Sequence, residues 1–161
     1  MIRRCDSGEA ASILSIINTA AEAYRGVIPD DCFHDPYMTP RQLQADVAAG
    51  VTFWGYESDG QLLGVMGLQQ VSDVELIRHA YVSPSSQGRG VGSALLTHLQ
   101  SLATRPMLVG TWAHAIWAIG FYERHGFVLV PRQGTPSVLR KYWTISERQI
   151  ETSVVLTDGR A

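Results

Sequence analysis

Residues 82–96, with the sequence VSPSSQGRGVGSALL, decide the fold class predicted for this chain. An apolar strand ends near Val82, a polar turn follows, and a glycine-rich stretch then opens an apolar helical pattern. Free backbone N–H groups at a helix start, together with the helix dipole, attract anions. Glycines let the backbone approach a phosphate closely, and the side chains of Gln87 and Arg89 add donors. The segment therefore predicts a phosphate-binding loop at a strand–helix junction.

Two familiar phosphate-binding motifs fit this loop poorly. A Walker A loop requires a lysine, and the stretch contains none. A Rossmann fingerprint requires the spacing G-x-G-x-x-G and an acidic residue about 20 positions on. Here the spacing is Gly88-x-Gly90-x-Gly92, and residues 108–112 (LVGTW) contain no acid. Taken alone, the segment also fits a plain turn whose glycines serve close packing of helix and strand.

Length and composition predict a single ordered domain that spans residues 1–161. Hydrophobic residues make up 45% of the chain and charged residues 17%, which excludes a disordered or supercharged protein. The 13 Lys and Arg against 15 Asp and Glu give a net charge of −2, with no basic stripe, so no nucleic-acid partner is predicted. Cys5 and Cys32 lack metal-ligand spacing, and no metal is predicted.

Hydropathy predicts no contact with a membrane. No window reaches the roughly 18 apolar residues of a spanning helix. The first residues also lack the apolar core and cleavage site of a signal peptide. We therefore expect a cytoplasmic protein with reduced thiols.

Periodicity and capping signals predict an alternation of helices and strands. Asp6 with Glu9, and Thr39 before Pro40, are typical helix starts, and Asp59-Gly60 is typical of a hairpin turn. The predicted helices cover 6–24, 40–49, 90–103 and 115–125. The predicted strands cover 51–57, 61–70, 74–82, 107–111, 127–130 and 151–156, with a long loop over 131–150. This order predicts a mixed α/β sheet.

The loop motif Gln87-x-x-Gly90-x-Gly92, placed after a strand in this order of elements, resembles the GNAT superfamily of acetyl-CoA-dependent N-acetyltransferases. Residues 118–127 (AIGFYERHGF) look like the family segment A-x-x-x-Y-x-x-x-G-F. Residues 80–84 and 24–29 are similar to two further family segments. The resemblance implies a mixed α/β fold with a central, mostly antiparallel sheet of about six to seven strands and about four flanking helices.

The resemblance also implies that acetyl-CoA is the acyl donor and that the loop holds its pyrophosphate. The cofactor-binding residues that it implies are Ala80, Tyr81, Val82, Gln87, Gly88, Arg89, Gly90, Val91, Gly92 and Ser93. One departure concerns Ala115, which stands where many members carry a cofactor-contacting asparagine. That contact is either absent here or supplied by a neighbour such as His114.

Acetyl transfer to an amine requires a neutral amine, a polarised carbonyl and a protonated leaving thiolate. An alkylamine is neutral in only about one molecule in 2,500 at pH 7, so a base, a water relay or a desolvating pocket must supply the free amine. The resemblance implies that a backbone N–H near residues 80–82 polarises the carbonyl. It also implies that Tyr122 protonates the departing sulfur. A buried tyrosine with a purely structural role is the alternative.

His79 is the preferred candidate for the base, because it lies on the strand beside the expected thioester and imidazole suits the role. Some family members carry a glutamate where this chain has Leu76. Glu75 cannot inherit that role directly, since a shift of one residue turns a strand side chain to the opposite face. His114 is a second candidate, and a hydrogen-bonded surface histidine is the plain reading of His79.

Aromatic residues predict an acceptor pocket that desolvates an amine and holds its cation against π faces. The candidate substrate residues are Tyr24, Tyr37, Trp54, Trp112 and His114. Core packing is the plain reading of most of the aromatic residues taken one by one. The modest charge favours a small-molecule amine as the acceptor. A protein N-terminus or lysine is the alternative acceptor, and a non-catalytic acyl-CoA-binding module is the alternative function. A homodimer is a further expectation, because the strand near the C-terminus looks free to pair with another chain.

Overall fold

A seven-stranded sheet forms the centre of the protein, in the order β1-β2-β3-β4-β5-β7-β6. The computed structural model describes residues 1–160. The strands are β1 (Ile2–Arg4), β2 (Thr52–Ser58), β3 (Gln61–Val71), β4 (Val74–Val82), β5 (Met107–Trp112), β6 (Val128–Leu129) and β7 (Ser153–Thr157). All neighbouring pairs are antiparallel except β4 and β5, which are parallel. The predicted mostly antiparallel sheet is confirmed.

Six α-helices within residues 1–160 cover the sheet, rather than about four. They are α1 (Ala10–Ala20), α2 (Pro40–Ala48), α3 (Val91–Leu102), α4 (Ile116–Arg124), α5 (Thr135–Tyr142) and α6 (Glu147–Glu151). The first four lie within the predicted ranges. The last two lie mostly in the stretch predicted to be a loop, and that prediction is wrong.

The prolines and glycine of residues 131–136 are typical of a loop, but here they stand at the start of a helix. Gly134 precedes α5 and Pro136 falls in its first turn, where a helix needs no N–H donor from proline. Leu139 then anchors the helix in the core with 1% exposure. The short α6 begins at Ser146, whose hydroxyl accepts a hydrogen bond from the Gln149 backbone N–H. Strand β1 was also missed, because three residues are too few for a periodic signal.

The predicted capping signals are confirmed. Thr39 and Gln42 form a reciprocal capping box at the start of α2, with Pro40 in its first turn. Asp6 and Glu9 form the same arrangement before α1. The hairpin between β2 and β3 turns at Asp59 and Gly60, which both adopt the left-handed conformation that such a turn requires.

Alternating side chains of the central strands divide the core between two faces. Met66 and Ile77 face α3 and α4, where Leu95, Leu96 and Leu99 are fully buried. Val65 on β3 faces α1 and α2 instead. On that second face, α5 and α6 cover the other half of the sheet and pack against β5 and β7.

Strand β7 lies between β5 and β6, and β6 pairs with its last two residues, Leu156 and Thr157. The edge expected from the sequence to be free is therefore covered in part by the short β6. The homodimer remains a prediction without that support. Within residues 1–160, none of the helices combines the length and the apolar character needed to cross a bilayer.

Strands β4 and β5 separate part-way along their length. Their parallel pairing covers only the register from Glu75 opposite Met107 to Ile77 opposite Val109. Beyond it, β4 continues to Val82 with β3, and β5 continues to Trp112 with β7. The sheet thus opens into a cleft between residues 78–82 and residues 110–112.

Candidate active site

Two cavities meet at the cleft between β4 and β5. The first, called here the glycine-loop cavity, has a volume of about 620 Å³ and lies between β4, the loop over residues 86–90, α3 and α4. The second, called the aromatic cavity, has a volume of about 690 Å³ and lies between α2, β4, β5 and α6. Tyr24 and Tyr81 line both cavities. A group in one cavity can therefore approach a group in the other past these two side chains.

The glycine loop presents uncapped backbone donors to the first cavity. Gly88 and Gly90 have φ values of +78° and +80°, in the left-handed region that favours glycine. A Cβ at either position would meet nothing within 4 Å, so the backbone conformation rather than packing requires glycine. Gly90 directly precedes α3, and no side chain caps that helix. The first N–H groups of α3 are thus free to bind an anion.

Nine of the ten predicted cofactor residues line the glycine-loop cavity. They are Ala80, Tyr81, Val82, Gln87, Gly88, Gly90, Val91, Gly92 and Ser93. Arg89 does not line the cavity, although it lies in the same exposed loop. The Gln87 side chain donates a hydrogen bond to the Val82 carbonyl at 3.3 Å, which ties the loop back to β4.

A β-bulge interrupts β4 where the two cavities meet. Arg78 pairs with Gly67 and Tyr81 pairs with Val65, so Met66 alone stands opposite His79 and Ala80. His79 has a φ of +53°, which is uncommon for a residue with a side chain. A bulge disrupts the ladder of strand hydrogen bonds and redirects a side chain. It therefore frees backbone groups near residues 79–80 and turns His79 away from the regular alternation.

Tyr122 on α4 lines the glycine-loop cavity and is 5% exposed. Its ring makes edge contacts with Phe121 and Phe127, at centroid distances of 5.1 and 5.7 Å. Burial raises the pKa of its phenol above the ordinary value, and the neighbouring Tyr24 adds to this. The hydroxyl therefore keeps its proton throughout the physiological pH range.

His79 lines the aromatic cavity and contacts an acidic residue that the sequence did not single out. Its Nε2 atom lies 2.7 Å from Oδ2 of Asp46 on α2. Arg78 approaches the same carboxylate at 3.6 Å and donates a hydrogen bond to Gln69. Partial burial alone would raise the pKa of Asp46, but the hydrogen bond from His79 and the charges of His79 and Arg78 lower it overall.

Aromatic side chains form the wall between the cavities. The Tyr24 ring lies 5.5 Å from Tyr37, 6.3 Å from Tyr81 and 5.9 Å from Trp117. Trp112 donates a hydrogen bond from its indole nitrogen to the Tyr37 hydroxyl at 2.8 Å. Burial raises the pKa values of Tyr24, Tyr37 and Tyr81. These phenols are therefore neutral donors and acceptors around the meeting point.

Residues 49–129 match the sequence profile of a family described as "Acetyltransferase (GNAT) domain". This stretch is half of the chain and includes the bulge, the glycine loop and α4. The chain belongs to the GNAT acetyltransferase family. The family membership and the fold class predicted from the motifs are both confirmed.

One curated relative is the peptidyl-lysine N-acetyltransferase YiaC of Escherichia coli strain K12. It is 27% identical over 99 residues, which cover 62% of this GNAT chain, and this chain spans 65% of that relative's length. Its name describes its own substrate. The acceptor of the present chain is a separate question.

Two solved structures share the fold. PaiA N-acetyltransferase from Thermoplasma acidophilum, in complex with coenzyme A, has a TM-score of 0.72 at 13% identity, covering 98% of this chain and 96% of that chain. N-acetylglutamate synthase from Neisseria gonorrhoeae, complexed with coenzyme A and N-acetyl-glutamate, has a TM-score of 0.68 at 24% identity. The match covers 98% of this chain and 34% of that one. At these identities the likeness establishes the GNAT fold.

Three of the five candidate substrate residues line the aromatic cavity: Tyr24, Tyr37 and Trp112. Trp54 does not, because it packs against His98 of α3 at a ring-centroid distance of 4.7 Å. Neighbouring strand residues face opposite sides, and Phe53 takes the α1 and α2 side. His114 is exposed in the turn after β5 and lines neither cavity. The structure thus places Trp54 and His114 outside both cavities.

Glu75 has a structural role in this GNAT domain. It is 2% exposed, and its carboxylate accepts hydrogen bonds from the backbone N–H groups of Thr104 and Arg105 and from the Gln70 side chain. It therefore joins β4 to the connection between α3 and β5. The expectation that it does not supply the base agrees with this position.

Trp117, rather than His114, approaches the glycine-loop cavity from the segment that contains Ala115. Ala115 is fully buried and its N–H bonds the Trp112 carbonyl. Trp117 lies nearly parallel to Tyr24 and lines the glycine-loop cavity, as does Arg124 at the end of α4. Both residues lie within residues 49–129, which match the family, but nothing in their spacing marked them. Within residues 1–160, no three His, Cys, Asp or Glu side chains are grouped to hold a metal ion.

Proposed function

We propose that this chain transfers the acetyl group of acetyl-CoA to the primary amine of a small molecule by direct attack. The meeting of the two cavities at Tyr24 and Tyr81 is the observation that carries this proposal. A donor in the glycine-loop cavity and an acceptor in the aromatic cavity would come together at the β4 bulge. Holding two reactants in this way removes much of the entropic barrier to reaction.

The glycine-loop cavity fits acetyl-CoA in both shape and chemistry. The free N–H groups at the start of α3 suit the pyrophosphate, and the left-handed Gly88 and Gly90 leave open space where side chains would stand. Apolar residues such as Val91, Phe121 and Trp117 also line the cavity and suit a pantetheine arm. A backbone N–H freed by the bulge near Ala80 would polarise the thioester carbonyl.

In this proposal, His79 and Tyr122 handle the protons on opposite sides of the reaction. His79 lines only the aromatic cavity and would remove the proton of the attacking amine. The amine nitrogen bonds the carbonyl carbon, and the carbon–sulfur bond breaks. Tyr122 lines only the glycine-loop cavity and would donate its proton to the leaving sulfur. The raised pKa of Tyr122 keeps that proton available.

The aromatic cavity favours a small acceptor. Its volume of about 690 Å³ falls in the range of small-ligand sites, roughly 300–1,000 Å³. Asp31 and Arg148 form an ion pair at 2.9 Å across its rim and join the loop before α2 to α6. Asp46 and Arg78 are also paired, so the cavity offers no strong excess of charge to a basic peptide.

A peptide or protein amine is the second candidate acceptor. The relative named as a peptidyl-lysine N-acetyltransferase, 27% identical, favours it. A side-chain or N-terminal amine could enter the same cavity from the rim. The two candidates require the same chemistry at His79 and Tyr122. Only a comparison of small amines and peptides as acceptors separates them.

The deciding experiment measures release of free coenzyme A by the purified protein, with acetyl-CoA and a panel of small amines and peptides. We expect amine-dependent release and a loss of about 10²–10⁴-fold in kcat for Tyr122→Phe. Tyr142→Phe is the matched control, since its hydroxyl bonds Asp73 and it lines neither cavity. Faster turnover of peptides than of any small amine would select the second candidate. Tight acetyl-CoA binding without release would contradict the transferase and favour an acyl-CoA-binding module.

A further inference from the structure

We propose that Asp46 is the positioning residue that holds His79 with its Nδ1 atom as the proton acceptor. This inference rests on the proposed function, because it concerns the base of the same reaction. Asp46 itself would not contact either reactant. It would act through the imidazole ring.

The contact joins two elements that are distant in the chain. Asp46 lies in α2 and His79 at the bulge of β4, and their Nε2–Oδ2 distance is 2.7 Å. Side-chain exposure is 24% for Asp46 and 17% for His79, so water screens the pair only in part. Both residues line the aromatic cavity. The pair therefore lies where an acceptor amine would be bound.

The contact determines which ring nitrogen carries the proton. An ionised carboxylate can only accept hydrogen bonds, so Nε2 must be the donor in the neutral imidazole. The lone pair then lies on Nδ1. Nδ1 has no hydrogen-bond partner among the described residues, and it is not among their enclosed unpaired polar atoms. It therefore keeps some exposed surface, where in this proposal an amine or one bridging water would bind.

The backbone and a neighbouring ring fix the orientation of the imidazole. The His79 ring is stacked on Phe53, at a centroid distance of 6.0 Å and an interplanar angle of 17°. The left-handed φ of +53° sets the direction in which the side chain leaves the strand. Asp46 supplies the remaining constraint, because its hydrogen bond with Nε2 fixes the rotation of the ring about the Cβ–Cγ bond.

Other ionisable groups around the cavity bear on the charge of His79. Arg78 lies on the same strand and opposes a positive imidazole, while it also pairs with Asp46 at 3.6 Å. The remaining titratable groups that line the cavity are Tyr24, Asp31, Cys32, His34, Tyr37, Tyr81 and Arg148. Asp31 is itself paired with Arg148. Asp46 is thus the carboxylate in direct contact with the ring.

The step balances because the amine loses one proton and the leaving sulfur gains one. The amine nitrogen bonds the carbonyl carbon, and its proton passes to Nδ1 of His79. The carboxylate of Asp46 stabilises the positive charge that then forms on the ring. The carbon–sulfur bond breaks, and the sulfur takes the proton of Tyr122. Solvent afterwards removes the proton from His79 and restores that of Tyr122.

The kinetic test compares Asp46→Asn, Asp46→Ala and His79→Gln with the wild type, using the best acceptor of the panel. We expect Asp46→Asn to lower kcat about tenfold or more, with KM for acetyl-CoA within about threefold. Asp73→Asn is the matched control, because Asp73 bonds Tyr142 outside both cavities.

A second measurement does not depend on activity. Long-range ¹H–¹⁵N NMR spectra of the uniformly labelled protein, assigned by the signal lost in His79→Gln, report which ring nitrogen is protonated. We expect Nε2–H in the wild type and a mixture of tautomers in Asp46→Ala. Circular dichroism and urea unfolding check that each variant folds.

The outcomes separate this inference from the proposed function. An active wild type with Nδ1–H at His79, or an Asp46→Asn variant whose kcat equals that of the wild type, would overturn the positioning role alone. Full activity in His79→Gln would overturn both the positioning role and the assignment of His79 as the base, while acetyl transfer itself would stand. A wild type that binds acetyl-CoA but acetylates nothing in the panel contradicts the proposed function, whichever tautomer the spectra report.

Discussion

The indole nitrogen of Trp112 donates a hydrogen bond of 2.8 Å to the hydroxyl of Tyr37, which lies 75 residues earlier in the chain. The bond joins the end of β5 to the loop before α2 and closes one wall of the aromatic cavity. Trp112 is 8% exposed, so its N–H has little access to water as an alternative partner. The wall thus contains a polar contact inside an apolar cluster.

Tyr37→Phe should destabilise the protein by about 1–3 kcal/mol, because it leaves a largely buried N–H without an acceptor. Urea unfolding followed by circular dichroism measures the change. Tyr142→Phe removes a comparable hydroxyl from an exposed hydrogen bond and should cost less than about 1 kcal/mol. Equal midpoints for the two variants would contradict the buried role of the Tyr37 hydroxyl.

Gly90→Ala should weaken coenzyme A binding, whereas Gly60→Ala should not. Both glycines are left-handed, with φ of +80° and +77°, and a Cβ would meet nothing within 4 Å at either site. Each substitution should therefore cost a similar 1–2 kcal/mol or so of backbone strain. Only Gly90 directs the free N–H groups of α3. Calorimetric titration with coenzyme A separates binding from stability, and equal affinities in the two variants would contradict the anion role of the loop.

Trp117→Ala should weaken binding of acetyl-CoA by about 3- to 10-fold, consistent with the loss of one aromatic contact. Trp117 lines the glycine-loop cavity beside Tyr24, while its neighbour Ile116 is 75% exposed and lines neither cavity. Ile116→Ala is therefore the control for general effects at the start of α4. The measurement is KM for acetyl-CoA at saturating acceptor. Equal changes in both variants would count against a cofactor contact.

The pH dependence of kcat should show no basic limb from Tyr122 below about pH 10. The ordinary pKa of a tyrosine is about 10, and burial raises that of Tyr122 further, so the acid form is retained through this range. Profiles of the wild type and of Tyr122→Phe between pH 6 and 10 test this expectation. A fall in wild-type kcat with a midpoint below 10, absent from the variant, would show that Tyr122 ionises earlier.

Features with local causes could be predicted from the sequence. The capping box of Thr39 and Gln42, the turn at Asp59 and Gly60, and the glycines before α3 each act within a few residues. The same holds for α4, where Tyr122 and Gly126 stand in one short motif. The family and the glycine-loop cavity followed from these segments.

Features whose partners are distant in the chain could not be predicted in this way. Strand β1 exists because Arg3 and its neighbours pair with β2, more than 50 residues later. Helix α5 is stabilised by burial of Leu139 against β5 and β7, despite Pro131 before it and Pro136 in its first turn. Trp54 and Phe53 are adjacent aromatic residues of β2. Only the packing of helices on the two faces of the sheet decides which of them faces α3.

The candidate site also combines features with local causes and features that depend on distant partners. The sequence by itself indicated the glycine loop and gave Tyr122 and His79 as candidates, because each lies in or beside a segment with a local pattern. Only the tertiary structure brought Asp46 to 2.7 Å from His79 and made Tyr24 and Tyr81 common to both cavities. Backbone propensity acts between neighbouring residues. The partner of a side chain depends instead on which distant segments come together. Here the separation of β4 from β5 and the packing of α2 decide this.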